Sequence, residues 1–216
     1  MEISQKIDFS TIKTFIFDLG GVIIDLDREA CVRAYERLGI ENANELLDNY
    51  KPNGIFLQME RGEISAQEFR NTIRHITQKA ITDEEINSAH GEFLLGIPQK
   101  RKDALLALRK KYKVLALSNT SPIHLLLFVR PMLTDEFHSP EDYFDKMFLS
   151  YELKSIKPDA LIFERMIELG QLNPVECLFF DDGLANVEAA KKLGFQTYHV
   201  TDDNDWVGEL ELMINA

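Results

Sequence analysis

Residues 12–24 read I-K-T-F-I-F-D-L-G-G-V-I-I. The apolar run over 12–17 ends at Asp18, and Gly20 and Gly21 follow before Val22, Ile23 and Ile24. A short continuous apolar run, without polar alternation, describes a strand buried on both faces. Runs of similar length recur at 114–117, 147–149, 177–180 and 195–200. Helical spacing of apolar residues falls between them, over 102–111, 160–169 and 184–193, the last closed by Gly194 as a C′ residue. Strands alternating with helices predict an α/β fold, a doubly wound parallel sheet.

Residues 28–100 read differently. They show helical patterns at 29–38, 43–50, 54–61, 65–79 and 83–94, and no convincing strand. Ser65 with Glu68, and Thr82 with Glu85, have capping-box spacing. The expected organisation is a core of residues 1–27 and 101–216, with an all-helical cap of residues 28–100 inserted. Residues 125–143 carry Pro131 and Pro140 and predict a short helix followed by an ordered loop.

The chain has 216 residues, 45% apolar and 28% charged, which is a globular balance. Its 36 acidic and 24 basic residues give a net charge of −12. That balance, with no basic stripe, argues against a nucleic-acid partner. No apolar run approaches the roughly 20 residues of a membrane span, and residues 1–10 lack a signal-peptide pattern. Cys31 and Cys177 lie far apart in apolar surroundings, as buried free thiols do, so the cytoplasm is the expected compartment.

Ligands of open α/β sheets bind beyond the carboxyl ends of the strands. Asp18 follows the first strand, Ser118, Asn119 and Thr120 the second, and Asp181 and Asp182 the fourth; Lys157 lies in the loop after the third. Singly, each has a plain role: a turn cap, a helix N-cap, a solvated lysine, acids at a helix start. Together they form a chemical set. Crowded carboxylates favour a hard divalent cation such as Mg²⁺, with waters and a substrate phosphate as its other ligands. Lys157 and the Ser118 hydroxyl suit phosphate oxygens. A carboxylate can attack phosphorus and form an aspartyl-phosphate.

The ordered motifs resemble those of the haloacid dehalogenase (HAD) superfamily: F-D-L-G-G-V at 17–22, L-S-N-T at 117–120, S-I-K-P-D at 155–159 and F-F-D-D-G-L-A-N at 179–186. Within it, E-R-G-E-I-S at 60–65, S-N-T with His124, and F-F-D-D are similar to the bacterial α-D-glucose-1-phosphate phosphatases. The resemblance implies a HAD-like Rossmannoid core and a Mg²⁺-dependent phosphatase of small phosphorylated metabolites, such as glucose 1-phosphate. It implies Asp18 as nucleophile and metal ligand, the Gly20 carbonyl and Asp182 as further ligands, and Asp181 nearby through water. Ser118 and the Asn119 backbone would hold phosphate, Lys157 would neutralise charge, and Asn186 would orient the metal shell.

One position departs from the pattern. Most phosphatases of the superfamily carry a second Asp two residues after the nucleophile, as the acid–base group; here it is Gly20. Loss of such a group costs about 10²–10⁴-fold. A sugar 1-phosphate needs less help, because its hemiacetal oxygen is a better leaving group than an alkoxide. Asp25 and Asp27 are alternative proton carriers, or simply turn residues.

Glu60, Arg61 and Glu63 flank the break at Gly62 and are candidates for sugar contact; Glu60 and Arg61 also read as a surface ion pair. Phe56 and Met59 read as core. His124 either lines an entrance or packs, Arg130 reads as a surface residue, and His75, His90, His138 and His199 lack metal spacing. Competing readings are a phosphomutase, a 2-haloacid dehalogenase needing no metal, a phospho-accepting receiver, and a binding protein weakened in catalysis by Gly20.

Overall fold

The computed structural model describes residues 7–47 and 54–214. Five strands form one parallel sheet: β1 (Thr14–Phe17), β4 (Lys113–Ser118), β5 (Lys146–Leu149), β6 (Cys177–Asp181) and β7 (Gln196–His199), in the order β5-β4-β1-β6-β7. A further pair, β2 (Asp25–Leu26) and β3 (Leu94–Gly96), forms a separate antiparallel ribbon. Every residue of β1 and β6 is buried, which explains their uninterrupted apolar character.

The two sheet faces feed two different cores. Phe15, Phe17, Leu178 and Phe180 point to one, with Leu105, Leu108 and Trp206. Ile16, Cys177 and Phe179 point to the other, with Ile162, Phe163 and Met166. Helices α6 (Gln99–Arg109), α8 (Ala160–Gly170), α9 (Leu184–Lys192) and α10 (Trp206–Ile214) cover the sheet. Between β4 and β5 a helical run over 122–132, here α7, contains a π segment at Leu125–Val129. A short helix at Pro140–Tyr143 follows where a plain loop was expected.

Chain order sets the location of a site. From β1 the chain moves outward through β4 and β5, then crosses back to β6 on the other side of β1. The crevice at this reversal opens between the carboxyl ends of β1 and β6.

A third apolar cluster belongs to helices α1 (Arg28–Leu38), α2 (Ala43–Leu46), α3 (Ile55–Glu60), α4 (Ala66–Thr77) and α5 (Asp83–Gly91). It is built on Val32, Tyr35, Phe56, Met59, Phe69, Ile73 and Ile86, joined by Ile123 from α7. Both capping boxes form: Ser65 accepts from Glu68 N and Thr82 from Glu85 N. Two expectations need correction. Residues 28–100 are not wholly helical, because β3 lies among them; a three-residue strand shows no periodicity and exists through its pairing with β2. The helix expected over 83–94 ends at Gly91, where the chain peels off to reach that pairing. Part of the helix expected at 43–50 lies outside the described residues. No helix among the described residues is long and apolar enough to cross a membrane.

Phe163 is wholly buried, edge-on to Phe179 at 5.7 Å between ring centroids. Phe163→Ala is expected to lower the unfolding free energy by about 3–5 kcal/mol. Ser65→Ala, which removes one cap, is expected to cost about 1 kcal/mol. Urea midpoints of both variants against the parent measure the two losses.

Candidate active site

β1 delivers Asp18 and β6 delivers Asp181 to the crevice, and between them sits the buried Lys157 ammonium. Lys157 Nζ lies 2.8 Å from Asp18 Oδ1 and 2.7 Å from Asp181 Oδ2, and donates to the Leu117 carbonyl at 3.0 Å. All three of its donors are thereby used. The lysine is placed by Asn119. The Asn119 side chain accepts from Lys157 N at 2.8 Å and donates to the Lys157 carbonyl at 3.0 Å. Ser150 ties the same two loops, accepting from Thr120 N and donating to Thr120 O.

Both oxygens of Asp181 are already engaged. Its Oδ2 holds Lys157, and its Oδ1 accepts from Gly183 N and Asn186 Nδ2, both at 2.8 Å. Asn186 therefore fixes Asp181. Asp18 Oδ1 accepts from Leu19 N at 2.7 Å as well as from Lys157, which leaves Oδ2 as the oxygen available for chemistry. Asp182 is exposed, and its carboxylate fills the space beside Gly21. Gly21 has φ +72°, and a Cβ there would lie 2.3 Å from Asp182 Oδ2. Only glycine leaves room for that carboxylate.

Carboxylate oxygens of Asp18, Asp181 and Asp182 all lie within 4.8 Å of one another. Burial raises the Asp18 pKa above the ordinary carboxylate range; the Lys157 charge pulls it back, and Asp181 and Asp182 add to the rise. Partial desolvation of its carboxyl and the Asp181 charge likewise raise Asp182. Burial disfavours the Lys157 ammonium, but Asp18 and Asp181 outweigh it and hold its pKa above the usual lysine value. Three carboxylates against one ammonium leave an excess of negative charge. A divalent cation between Asp18 and Asp182 fits that excess.

Above the site lies a cavity of about 210 Å³. Asp18, Gly20, Asn119 and Asp182 line its floor; Arg28, Cys31, Phe56, Glu60, His90 and Phe93 come from the other side. Of the three cap candidates, Glu60 lines this cavity. Arg61 and Glu63 do not, because α3 ends at Glu60 and the chain then turns away, leaving Glu63 exposed. Asp25 and Asp27 do not line it either. Asp25 pairs with Arg101 at 2.7 Å, and Asp27 caps α1 by accepting from Ala30 N.

Sequence reasoning missed Arg28 and His90. Arg28 carried the signal of lying one residue past the Asp27 N-cap. His90 showed none, because its partners are distant in the chain. His90 Nδ1 meets the Tyr35 hydroxyl and Nε2 the Ser121 hydroxyl, each at 3.1 Å. Its ring stacks on His124 at 3.8 Å, and His124 Nε2 donates to the His90 carbonyl at 3.0 Å. Burial lowers the pKa of both, with His124 reaching about 4.

Fold and site together have the character of a hydrolase with carboxylates gathered at the strand ends of an α/β sheet. A family model described as haloacid dehalogenase-like hydrolase matches residues 12–194. The chain belongs to that family. It is 39% identical over 205 residues to the D-ribitol-5-phosphate phosphatase of Bacteroides thetaiotaomicron, covering 95% of this chain and 100% of the relative. A crystal structure of a HAD family enzyme from the same organism, in complex with magnesium and inorganic phosphate, superposes with a TM-score of 0.85. That pair is 40% identical, covering 90% of this chain and 97% of the other. A HAD-like family hydrolase of Porphyromonas gingivalis superposes with a TM-score of 0.87 at 34% identity, covering 95% and 99% of the two chains. Within its family the chain is a phosphoric monoester hydrolase.

The buried histidines carry a pH prediction. Between the ordinary value of 6.5 and about 4, an unfolded His124 binds a proton that the folded one does not. Stability is therefore lost as pH falls through that window, by roughly 3 kcal/mol once pH 4 is reached. Urea unfolding at several pH values from 7.5 to 4 is expected to show a flatter acid limb for His124→Gln than for the parent.

Proposed function

We propose that this chain is a Mg²⁺-dependent phosphatase of small phosphorylated sugars and polyols, acting through an aspartyl-phosphate on Asp18. The observation that carries the reading is the state of Asp18. It stands at the chain reversal with Oδ1 held by Leu19 N–H and Lys157 and Oδ2 left for attack, on the floor of the cavity. Magnesium and phosphate in the related Bacteroides structure support the same reading.

Asp18, the Gly20 carbonyl and Asp182 are the ligands proposed for Mg²⁺, with Asp181 fixed behind them by Lys157 and Asn186. When bound, the ion supplies charge that offsets the carboxylates and draws phosphate oxygens inward. Ser118 and the Asn119 backbone N–H hold phosphate oxygens. The Asn119 side chain is committed to Lys157, so only its backbone serves this purpose. Asp18 Oδ2 attacks phosphorus, and the phosphorus–ester bond breaks. Lys157 stabilises the charge that develops. Water then attacks phosphorus and frees Asp18.

The cavity and the relatives support this substrate class. Its floor is polar and its walls mix Arg28 and Glu60 with Phe56 and Phe93, which suits a short hydroxylated chain carrying one phosphate. A sugar 1-phosphate such as glucose 1-phosphate and a polyol phosphate such as D-ribitol 5-phosphate both belong to it. Phosphate release from such a panel tests the reading. With Mg²⁺, hydrolysis is expected for members of the panel. Asp18→Asn is expected to lower kcat by about 10⁴-fold or more. Gly21→Ala, which displaces Asp182, is expected to weaken Mg²⁺ binding by about 10–100-fold in calorimetric titration. Activity that survives chelation, or survives Asp18→Asn, overturns the reading.

A further inference from the structure

The phosphatase chemistry needs a proton at two moments, and Gly20 leaves the nucleophile loop without a side chain to move it. Among the described residues lining the cavity, the groups able to carry a proton are Asp18, Asp182, Arg28, Cys31, His90, His124 and Glu60. Asp18 is the nucleophile, and Asp182 is committed to the cation. Arg28 does not deprotonate. Burial pushes the Cys31 thiol up to about 12, and its Sγ lies 3.5 Å from the Ala89 carbonyl. Both ring nitrogens of His90 are engaged, and His124 is held neutral with Nε2 on a carbonyl. Glu60 remains.

We propose that Glu60, the last residue of α3, is the catalytic proton donor and acceptor of this site, supplied from the cap side of the cavity. The proposal rests on the phosphatase reading and adds the residue that completes it.

Geometry holds Glu60 over the floor. The turn after it is docked on the core: the Gly62 carbonyl accepts from Lys154 Nζ at 2.6 Å. Gly62 has φ +63°, and a Cβ there would lie 2.2 Å from the Tyr151 carbonyl, so the two backbones touch. Residues 151 and 154 belong to the segment between β5 and Lys157. The turn that carries Glu60 is thus pinned to the segment that leads to the active-site lysine. The carboxyl group has a suitable proton affinity: burial raises its pKa to about 7, opposed by the charge of Lys157. Near neutrality both forms are populated, as an acid–base group requires.

The proton balance closes. As Asp18 Oδ2 bonds to phosphorus and the ester bond breaks, the leaving oxygen takes the Glu60 proton, giving the alcohol and a Glu60 carboxylate. In the second half, the carboxylate takes a proton from water as its oxygen attacks phosphorus. The phosphorus–Asp18 bond breaks, inorganic phosphate forms, and Glu60 is protonated again.

The test compares two esters on the full chain with Mg²⁺: D-ribitol 5-phosphate, whose alkoxide must be protonated, and p-nitrophenyl phosphate, whose phenolate leaves unaided. Glu60→Gln is expected to lower kcat/KM by about 10²–10⁴-fold on the alkyl ester, and at least tenfold less on the aryl ester. The aryl reaction also reports that the variant is folded. In the parent, kcat/KM on the alkyl ester is expected to fall above pH about 7, where Glu60 loses its proton; the variant is expected to lack that limb. Equal losses on both esters, an effect on KM alone, or no loss overturns the assignment of Glu60 while leaving the phosphatase reading intact. A parent that hydrolyses neither ester nor any member of the phosphate panel overturns both.

Discussion

A buried ammonium between two buried carboxylates organises this molecule. Removing each ion from water costs several kcal/mol even after relaxation, and the attraction offsets this only when geometry is good and every polar atom has a partner. Here the condition is met: Lys157 spends three donors on Asp18, Asp181 and Leu117, and Asp181 uses both oxygens. The consequence is mutual placement. Asp18 comes from β1, Asp181 from β6, and Lys157 from a segment joined to β4 through Asn119. Moving any one strips partners from the others. Charge pairing thus converts three strand ends, which the sheet holds only roughly, into one fixed constellation.

The second constraint lies between the sheet and the helices above it. Their apolar clusters are largely separate, joined through Ile123 and Phe128 of α7. A polar contact crosses beside them: His90, held by Tyr35 on one side, meets Ser121 and His124 on the other. Both imidazoles are buried with lowered proton affinity, and the two nitrogens of His90 and Nε2 of His124 each have a specific partner. Separating the two parts would leave these groups to water, and closure restores them in a single register. The Lys154–Gly62 contact works at another point of the same boundary. Polar pairing here selects one docking geometry, where apolar contact alone would tolerate several.

Much of this was readable in the chain. Burial on both faces makes β1 and β6 continuous apolar runs, so Asp18 and Asp181 stood out at their ends. Ser118 and Asp181 prove to be the last strand residues, since each still pairs with a neighbouring strand. What was not readable depends on partners remote in sequence. β3 is too short for any period and exists through β2. His90 lacks metal spacing, yet matters because Tyr35 and Ser121 reach it. Glu60, Arg61 and Glu63 were indistinguishable as a motif. Where α3 stops decides that the first faces the cavity, and no local pattern encodes that rotation.

An acid–base group held on the nucleophile loop is in place whether or not the cavity is closed. One supplied by Glu60 is in place only when the 60–62 turn sits on the core. On that proposal, phosphoryl transfer to Asp18 and the later attack of water would both require this docked arrangement. The same dependence sets the proton affinity. Opening would hydrate Glu60 and remove the burial that raises its pKa, and a solvated carboxylate near its ordinary value is a poor acid catalyst at neutral pH. The glycine at position 20 also admits Leu26, whose Cδ1 lies 3.2 Å from where a Cβ would be. Apolar packing from β2 thus occupies the place beside Asp18, and Glu60 stands across the cavity. The net charge of −12 is consistent with this arrangement. A cation held there with Lys157 beside it would make a local positive field that the surface total does not describe.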